Sequence, residues 1–449
     1  MKLFGTLFTS LIFSLTFWGV AHSSVNQSVQ FEVEKFQLDN GLTVLVHVDR
    51  SMPIISYQQW FRVGSSNEKP GRTGLAHFFE HLMFKGTKKY PKGEIDKIIQ
   101  MNGGSNNAFT TEDYTGYYTN LPSDKLELII DVESDRMRNL IFDEKEINSE
   151  REVVKEERRM RYENSVYGSL FLQIRNTLYK TSAYRWPVIG YMKDLNATNL
   201  AELKEFYNTY YAPNNAVVVV AGDVSVSEVK KLMKKYYGGI PRQTLPDLKL
   251  TPETEQRAAR YSKLEKDVQG VTLAIVYPGV PVGHPDAHAL DLMTSALGAG
   301  SSSRMYKRLV YKNQLATDVS MSNSNDKLSG EISTYVSLKP GVTANAAQAL
   351  VNSEIAKIKS DLVSPDELQK LKNQIKLGYV KGLQTMASRA RALALNEVYF
   401  NDYKVLFEDL EKYEKITAED IQRVAKTYLV PGKKNVVQIS PKSVAGVTQ

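Results

Sequence analysis

Inside one apolar run, five consecutive positions carry two histidines and a glutamate. The stretch Thr73–Thr87 reads TGLAHFFEHLMFKGT and holds His77, Glu80 and His81. The chain has only six histidines in 449 residues, so two of them four apart need a reason. On a helix, positions i and i+4 lie on one face, about 40° apart, and both imidazoles can reach one metal ion. Glu80 lies about 60° round from His77, so its carboxylate can stand beside a metal without ligating it. Such a set has the parts of a zinc peptidase: imidazole ligands, an open position for water and a neighbouring base. The metal brings the pKa of the water toward ~7, and the glutamate takes its proton as the scissile carbonyl is attacked. Two histidines satisfied in a core helix have the same spacing, so a third ligand is needed before the pattern defines a site.

Acidic candidates lie in NSEREVVKEERRMR. Glu150 and Glu157 are seven residues apart and share a helix face, whereas Glu156 points about 100° away from Glu157. One of the pair can ligate while the other braces a histidine from behind. Both can equally be surface carboxylates pairing with the nearby arginines, and spacing alone leaves the two readings open. A second histidine pair, His284 and His288 in HPDAH, reads as structural. Pro285 fits a first-turn position, which makes His284 a cap outside the regular helix.

H-F-F-E-H is the inverted zinc motif H-x-x-E-H, and its surroundings resemble the insulinase/pitrilysin family, which includes the mitochondrial processing peptidase. In that family the glutamate ligand lies in a stretch like E-R-x-V-x-x-x-E. Here EREVVKEE runs from Glu150 to Glu157, and Glu157 follows His81 by 76 residues. The resemblance extends over DNGLTVLV, GGSNNAFTTEDYTGYY and YYAPNNAVVVVAGDV, and so over nearly the whole chain after its leader. It implies one zinc per chain held by His77, His81 and Glu157, with Glu80 as general base and Glu150 bracing a histidine. It also implies that the strand through Asn107 and Ala108 is a sheet edge to which an extended peptide adds as a further strand.

The chain departs from the family in its second half. Complete sites take an arginine and a tyrosine, seven residues apart, to bind substrate and stabilise the oxyanion. The matching stretch, SSRMYKRLVYKNQLAT from Ser302, puts Val310 and Thr317 in those places. Arg308 and Tyr311 are near but out of helical register. This resembles split family members, in which a homologous inactive subunit supplies the arginine and tyrosine to the subunit bearing the metal motif. A heterodimer is therefore expected, with a homodimer or monomer as the alternative. A non-catalytic assembly subunit is a further alternative, but such subunits usually lose the histidines or the base, which are intact here. Cleavage of one specific precursor, rather than of peptides at large, is equally open.

The elements that position these residues can be read from pattern. Residues 1–23, MKLFGTLFTSLIFSLTFWGVAHS, have one lysine, a long apolar run and small residues, the layout of a secretory signal peptide and hence of export to a periplasm-like space; the run is also long enough to anchor. The chain has no cysteine, 42% apolar residues and a net charge of +7. Its basic residues form no aromatic-interleaved stripe, so nucleic acid is not an expected partner. VQFEVEKFQLDNGLTVLVHVD alternates about DNG, a hairpin signal. Thr73–Lys85 reads as a helix with Thr73 as N-cap, GEIDKIIQMNGG as a second helix, SNNAFTTEDYTGYYTNL as a strand, and the two charged stretches that follow as long helices. FYNTYYAPNNAVVVVAG (206–222) overlays VAKTYLVPGKKNVVQIS (424–440), pairing Tyr210 with Tyr428 and Pro213 with Pro431. The expected fold is α+β with two homologous domains, 24–245 and 246–449, each an antiparallel sheet packed against helices on one side in a clamshell arrangement. The boundary falls in the polar, proline-bearing stretch 240–260.

Overall fold

The computed structural model describes residues 30–248 and 250–442. The expected leader, residues 1–23, lies outside them. Eleven strands form two sheets among the described residues. The first sheet holds β1 (Glu34–Gln37), β2 (Thr43–Val48), β3 (Ile54–Phe61), β4 (Ser105–Thr110), β5 (Thr115–Pro122) and β6 (Ala216–Gly222), in the order β1-β2-β6-β3-β5-β4. The second holds β7 (Arg260–Lys266), β8 (Thr272–Pro278), β9 (Ala316–Asn325), β10 (Gly330–Leu338) and β11 (Asn435–Pro441), in the order β7-β11-β8-β10-β9. The DNG hairpin forms as expected, with Gly41 at φ 92° in the turn between β1 and β2. The stretch read as one strand after the second helix is two: β4 and β5 pair antiparallel around a turn at 111–114.

The internal repeat is structural. The helix Leu200–Tyr210, a one-turn helix at Pro213 and the buried strand β6 recur as the helix Ala418–Tyr428, a one-turn helix at Pro431 and β11. Each of these strands lies antiparallel to one neighbour, β3 or β8, and parallel to the other, β2 or β7. The sheets are thus mostly antiparallel, but each contains one parallel pair, because a long helical excursion brings β6 and β11 back running with that neighbour.

Helices lie on both faces of the sheets, not one. On the inner face of the first sheet pack α1 (Leu75–Leu82), α2 (Glu94–Met101), α3 (Leu126–Arg138) and α4 (Glu144–Arg158), whose apolar residues join Val44, Val46, Val218 and Val220 in one core. The alternate residues Val217 and Val219 face the other way, as the two-residue strand period requires. There they meet Ala390, Leu393 and Ala394 of the helix Met386–Phe400, which comes from the second half. The exchange is reciprocal. After α4 a short π-helical turn (Arg159–Glu163) leads into α5 (Val166–Leu178), whose Leu170, Ile174 and Leu178 pack on Ala274, Val276, Val437 and Ile439 of the second sheet. Each half therefore buries an apolar sheet face with a helix of the other, which explains why β6 (AVVVVAG) has no polar residue and why β11 carries apolar side chains on both faces, Val436 toward one core and Val437 and Ile439 toward the other.

Candidate metal centre

Helix α1 forms because its apolar residues make one stripe. Leu75, Ala76, Phe78, Phe79 and Leu82 are buried, and Phe79 stacks on Phe206 and Tyr207 with ring centroids 5.5 and 5.9 Å apart. A fully buried aromatic of this kind contributes about 1.5–3 kcal/mol, so the stripe fixes the helix azimuth. His77, Glu80 and His81 are left on the opposite face. Thr73 is not the N-cap. Gly74 holds that place in the left-handed region, and the buried Glu68 carboxylate accepts the Gly74 and Ala76 amides, both at 2.8 Å. Thr73 Oγ1 donates instead to Asp194, at 2.6 Å. A side chain from a preceding loop thus does the work expected of a local cap.

Helix α4, capped by Asp143, brings its acidic face to α1. His77, His81 and Glu157 each offer a ligand atom within 4.8 Å of one another, the only such group among the described residues. His81 Nε2 is 3.2 Å from Glu157 Oε2, and His77 Nε2 is 3.8 Å from Glu157 Oε1. Glu150 lies on the other side of His81, its Oε1 2.8 Å from Nδ1. That contact orients the ring and turns Nε2 toward Glu157. Glu156 points away and pairs with Arg159 at 2.8 Å. The docking of α4 against α1, not the spacing, puts Glu157 beside both histidines and Glu150 behind the His81 ring.

Charge within the centre is uneven. Burial, reinforced by the neighbouring His81, pushes the His77 pKa down to about 4, so the ring is neutral near pH 7. Burial opposes protonation of His81 as well, but its contacts with Glu150 and Glu157 outweigh that and raise it to about 9. Glu80 is raised by burial, against the effect of the hydrogen bond it accepts from Thr110 Oγ1 at 2.6 Å. Two imidazoles and a carboxylate, their ligand atoms within 4.8 Å of one another, are a donor set that fits zinc with a fourth position open.

The centre opens into a cavity of about 560 Å³ lined also by Phe84, Lys85, Asn107–Thr110 and Arg161. Strand β4 is the edge of its sheet and pairs only with β5. Its outer side faces this cavity, and Asn107 Oδ1 there accepts the Ala108 amide at 2.8 Å. A larger cavity, about 750 Å³, lies between β1 and the helix Val405–Lys415, but no histidine among the described residues lines it. Three residues at the centre were not anticipated. Lys85 pairs with Glu150, and Arg161 with Glu157 at 2.8 Å; both sit four residues after a site residue, a spacing that could have found them. Thr110 reaches Glu80 only because β4 lies against α1, and no local pattern marks it.

The other candidates lie elsewhere. Val310 packs against the second core and Thr317 Oγ1 donates to the Ser337 carbonyl, at 3.2 Å. Arg308 lies 3.9 Å from Glu354, and Tyr311 is exposed against Tyr306. None of these four lines the metal cavity. His288 meets Asp409 at 3.3 Å and His284 accepts the Asp286 amide, so HPDAH is structural as expected. Pro285 is not in the first turn, however: the helix begins at Ala287 with Asp286, not His284, at the N-cap position.

The fold and this centre define a class: a two-sheet α+β chain bearing the inverted H-x-x-E-H helix, of the kind found in zinc metallopeptidases. Comparison with known proteins agrees. Residues 43–190 match the model of the insulinase family, peptidase family M16, and residues 197–375 that of the peptidase M16 inactive domain. The zinc protease PqqE of Helicobacter pylori is 33% identical over 417 residues, covering 91% of this chain and 93% of that protein. An uncharacterized zinc protease of Bacillus subtilis, YmxG, is 27% identical over 399 residues, covering 88% and 95%. The crystal structure of a protease from Helicobacter pylori superposes with a TM-score of 0.88 at 31% identity, over 92% of this chain and 100% of that one. The chain belongs to peptidase family M16.

Proposed function

We propose that this chain is a zinc-dependent endopeptidase that cleaves peptides or unfolded polypeptide segments. The observation that carries the reading is the convergence of His77, His81 and Glu157 within 4.8 Å, with Glu80 beside them, in a cavity walled by the free edge of β4. His77, His81 and Glu157 would hold one zinc ion, which supplies a Lewis acid and lowers the pKa of water in the cavity. Glu150 holds the His81 ring. Glu80, its carboxylate fixed by Thr110, takes the proton of the attacking water and passes it to the leaving amine. Asn107 and Ala108 on β4 bind the peptide main chain as an added strand.

Val310 and Thr317 carry neither the cation nor the phenol that such sites use at the oxyanion, and among the described residues none from the second half lines the metal cavity. The chain is therefore read as the catalytic subunit of a heterodimer, with a homologous inactive subunit supplying those groups. Residues 24–245 form the metal-binding domain and 246–449 its homologue. Among the described residues no helix is long and apolar enough to cross a membrane. With the signal-like leader, this supports a periplasmic location. The test compares zinc content and peptide cleavage of the unmutated chain and Glu80→Gln. Retained zinc with cleavage lowered about 10²–10⁴-fold is expected; unchanged cleavage removes Glu80 from its role.

A further inference from the structure

Arg161 walls two cavities. On one side lies the metal centre; on the other a cavity of about 620 Å³ opens between the start of α5 and the outer face of β9 and β10. Tyr162, Tyr167 and Phe171 line it from the first half, and Tyr335, Ser320 and Asp318 from the second. Tyr335 is opposite Ser320 in the sheet and Ser337 opposite Asp318, so these side chains stand on one face. Helix α5 lies over β7, β8 and β11 and leaves the β9–β10 end of that face open. Gly168 permits this packing, since a Cβ there would lie 1.8 Å from the Arg161 carbonyl oxygen.

We propose that this second cavity is a substrate subsite that takes a large aromatic side chain of the bound peptide. The proposal rests on the peptidase reading of the metal centre. An added strand on β4 is held by main-chain bonds that discriminate little between sequences, so side-chain selection needs a pocket, and this one adjoins the metal cavity through the shared Arg161. Its chemistry favours one occupant. Four aromatic rings form the walls, and such rings attract another ring edge-to-face or offset. Of the two charges present, Arg161 is already paired with Glu157, and Asp318 is exposed at the rim. Tyr167 is 62% exposed, yet its hydroxyl is 3.2 Å from Ser337 Oγ, which places the ring across the mouth between the two halves.

The test measures binding as well as cleavage. The Glu80→Gln chain, supplied with zinc, is titrated calorimetrically with peptides that are identical except for Phe or Ser at each position in turn. At one position Phe is expected to bind about tenfold more tightly, in line with burial of an aromatic side chain. Tyr167→Ala, which removes a wall, and Ser320→Trp, which fills the cavity, should each erase that advantage while leaving the Ser peptide unaffected. Both positions are exposed, so folding is not at stake. No Phe advantage at any position, or an advantage that survives both variants, overturns the subsite. Cleavage of the Phe and Ser peptides by the unmutated chain with equal kcat/KM overturns the subsite and leaves the peptidase reading standing; failure to bind either peptide overturns both.

Discussion

Asp326 offers a quantitative test of how the two halves are joined. It begins the β9–β10 turn, which packs against the β4–β5 turn of the other half: the Lys327 amide donates to Asp113, and the Leu328 amide to the Tyr184 hydroxyl. Carboxylates outnumber cations here. Asp326 faces Glu112 and Asp113 from the first half, Glu331 from β10, and the Arg175 guanidinium from α5, which is already paired with Glu112. Burial first, then Glu112 and Asp113, raise the Asp326 pKa from 3.8 to about 7. The folded state thus holds a proton that the unfolded chain releases between those two values. The stabilisation is complete below the unfolded pKa and is lost as pH rises through the folded one. At about 1.4 kcal/mol per pKa unit, the loss between pH 5 and pH 8 is about 2.5 kcal/mol. Asp326→Asn keeps the shape and removes the ionisation. Urea unfolding of both proteins at pH 5, 6, 7 and 8 should show the wild type losing about 2.5 kcal/mol relative to the variant across that range. Parallel pH profiles would refute the reasoning and mean that water or movement of the turn relieves the carboxylates.

Three further outcomes are expected. Glu150→Ala should weaken zinc binding about 10- to 100-fold in a competition assay with a chelating dye, because the His81 ring loses the contact that orients it. Thr110→Val should lower kcat about tenfold with KM and zinc content little changed, and Thr110→Ser should restore it, since one hydrogen bond to a charged group carries about 1.5–3 kcal/mol. Gly168→Ala should lower the midpoint of chemical unfolding by the equivalent of about 2–4 kcal/mol, because α5 must move away from Arg161 to admit the methyl group.

Much of this protein is legible locally. The DNG hairpin, the apolar stripe of α1 with its two histidines and glutamate on the opposite face, and the repeat ending in β6 and β11 follow from short-range period and turn chemistry. Local reading failed where a long-range partner intervenes. Thr73 is an ordinary cap residue, yet the buried Glu68 takes its place. SNNAFTTEDYTGYYTNL has uniform strand propensity, so nothing marks the break that makes it a hairpin. Both faces of β6 are apolar and β11 has valines on each of its faces, and periodicity cannot say that the helix covering each outer face comes from the other half.

The sequence by itself determined which side chains share a face: His77 with His81 on α1 and Glu150 with Glu157 on α4, because helical geometry depends only on spacing. Only the tertiary structure decided how those two faces meet, which carboxylate lies beside His77 and which behind His81. It also decided that Thr110 reaches Glu80 and that Arg161 separates two cavities. Those outcomes depend on where apolar stripes dock against the sheets, a balance of burial summed over the whole chain that no local pattern contains.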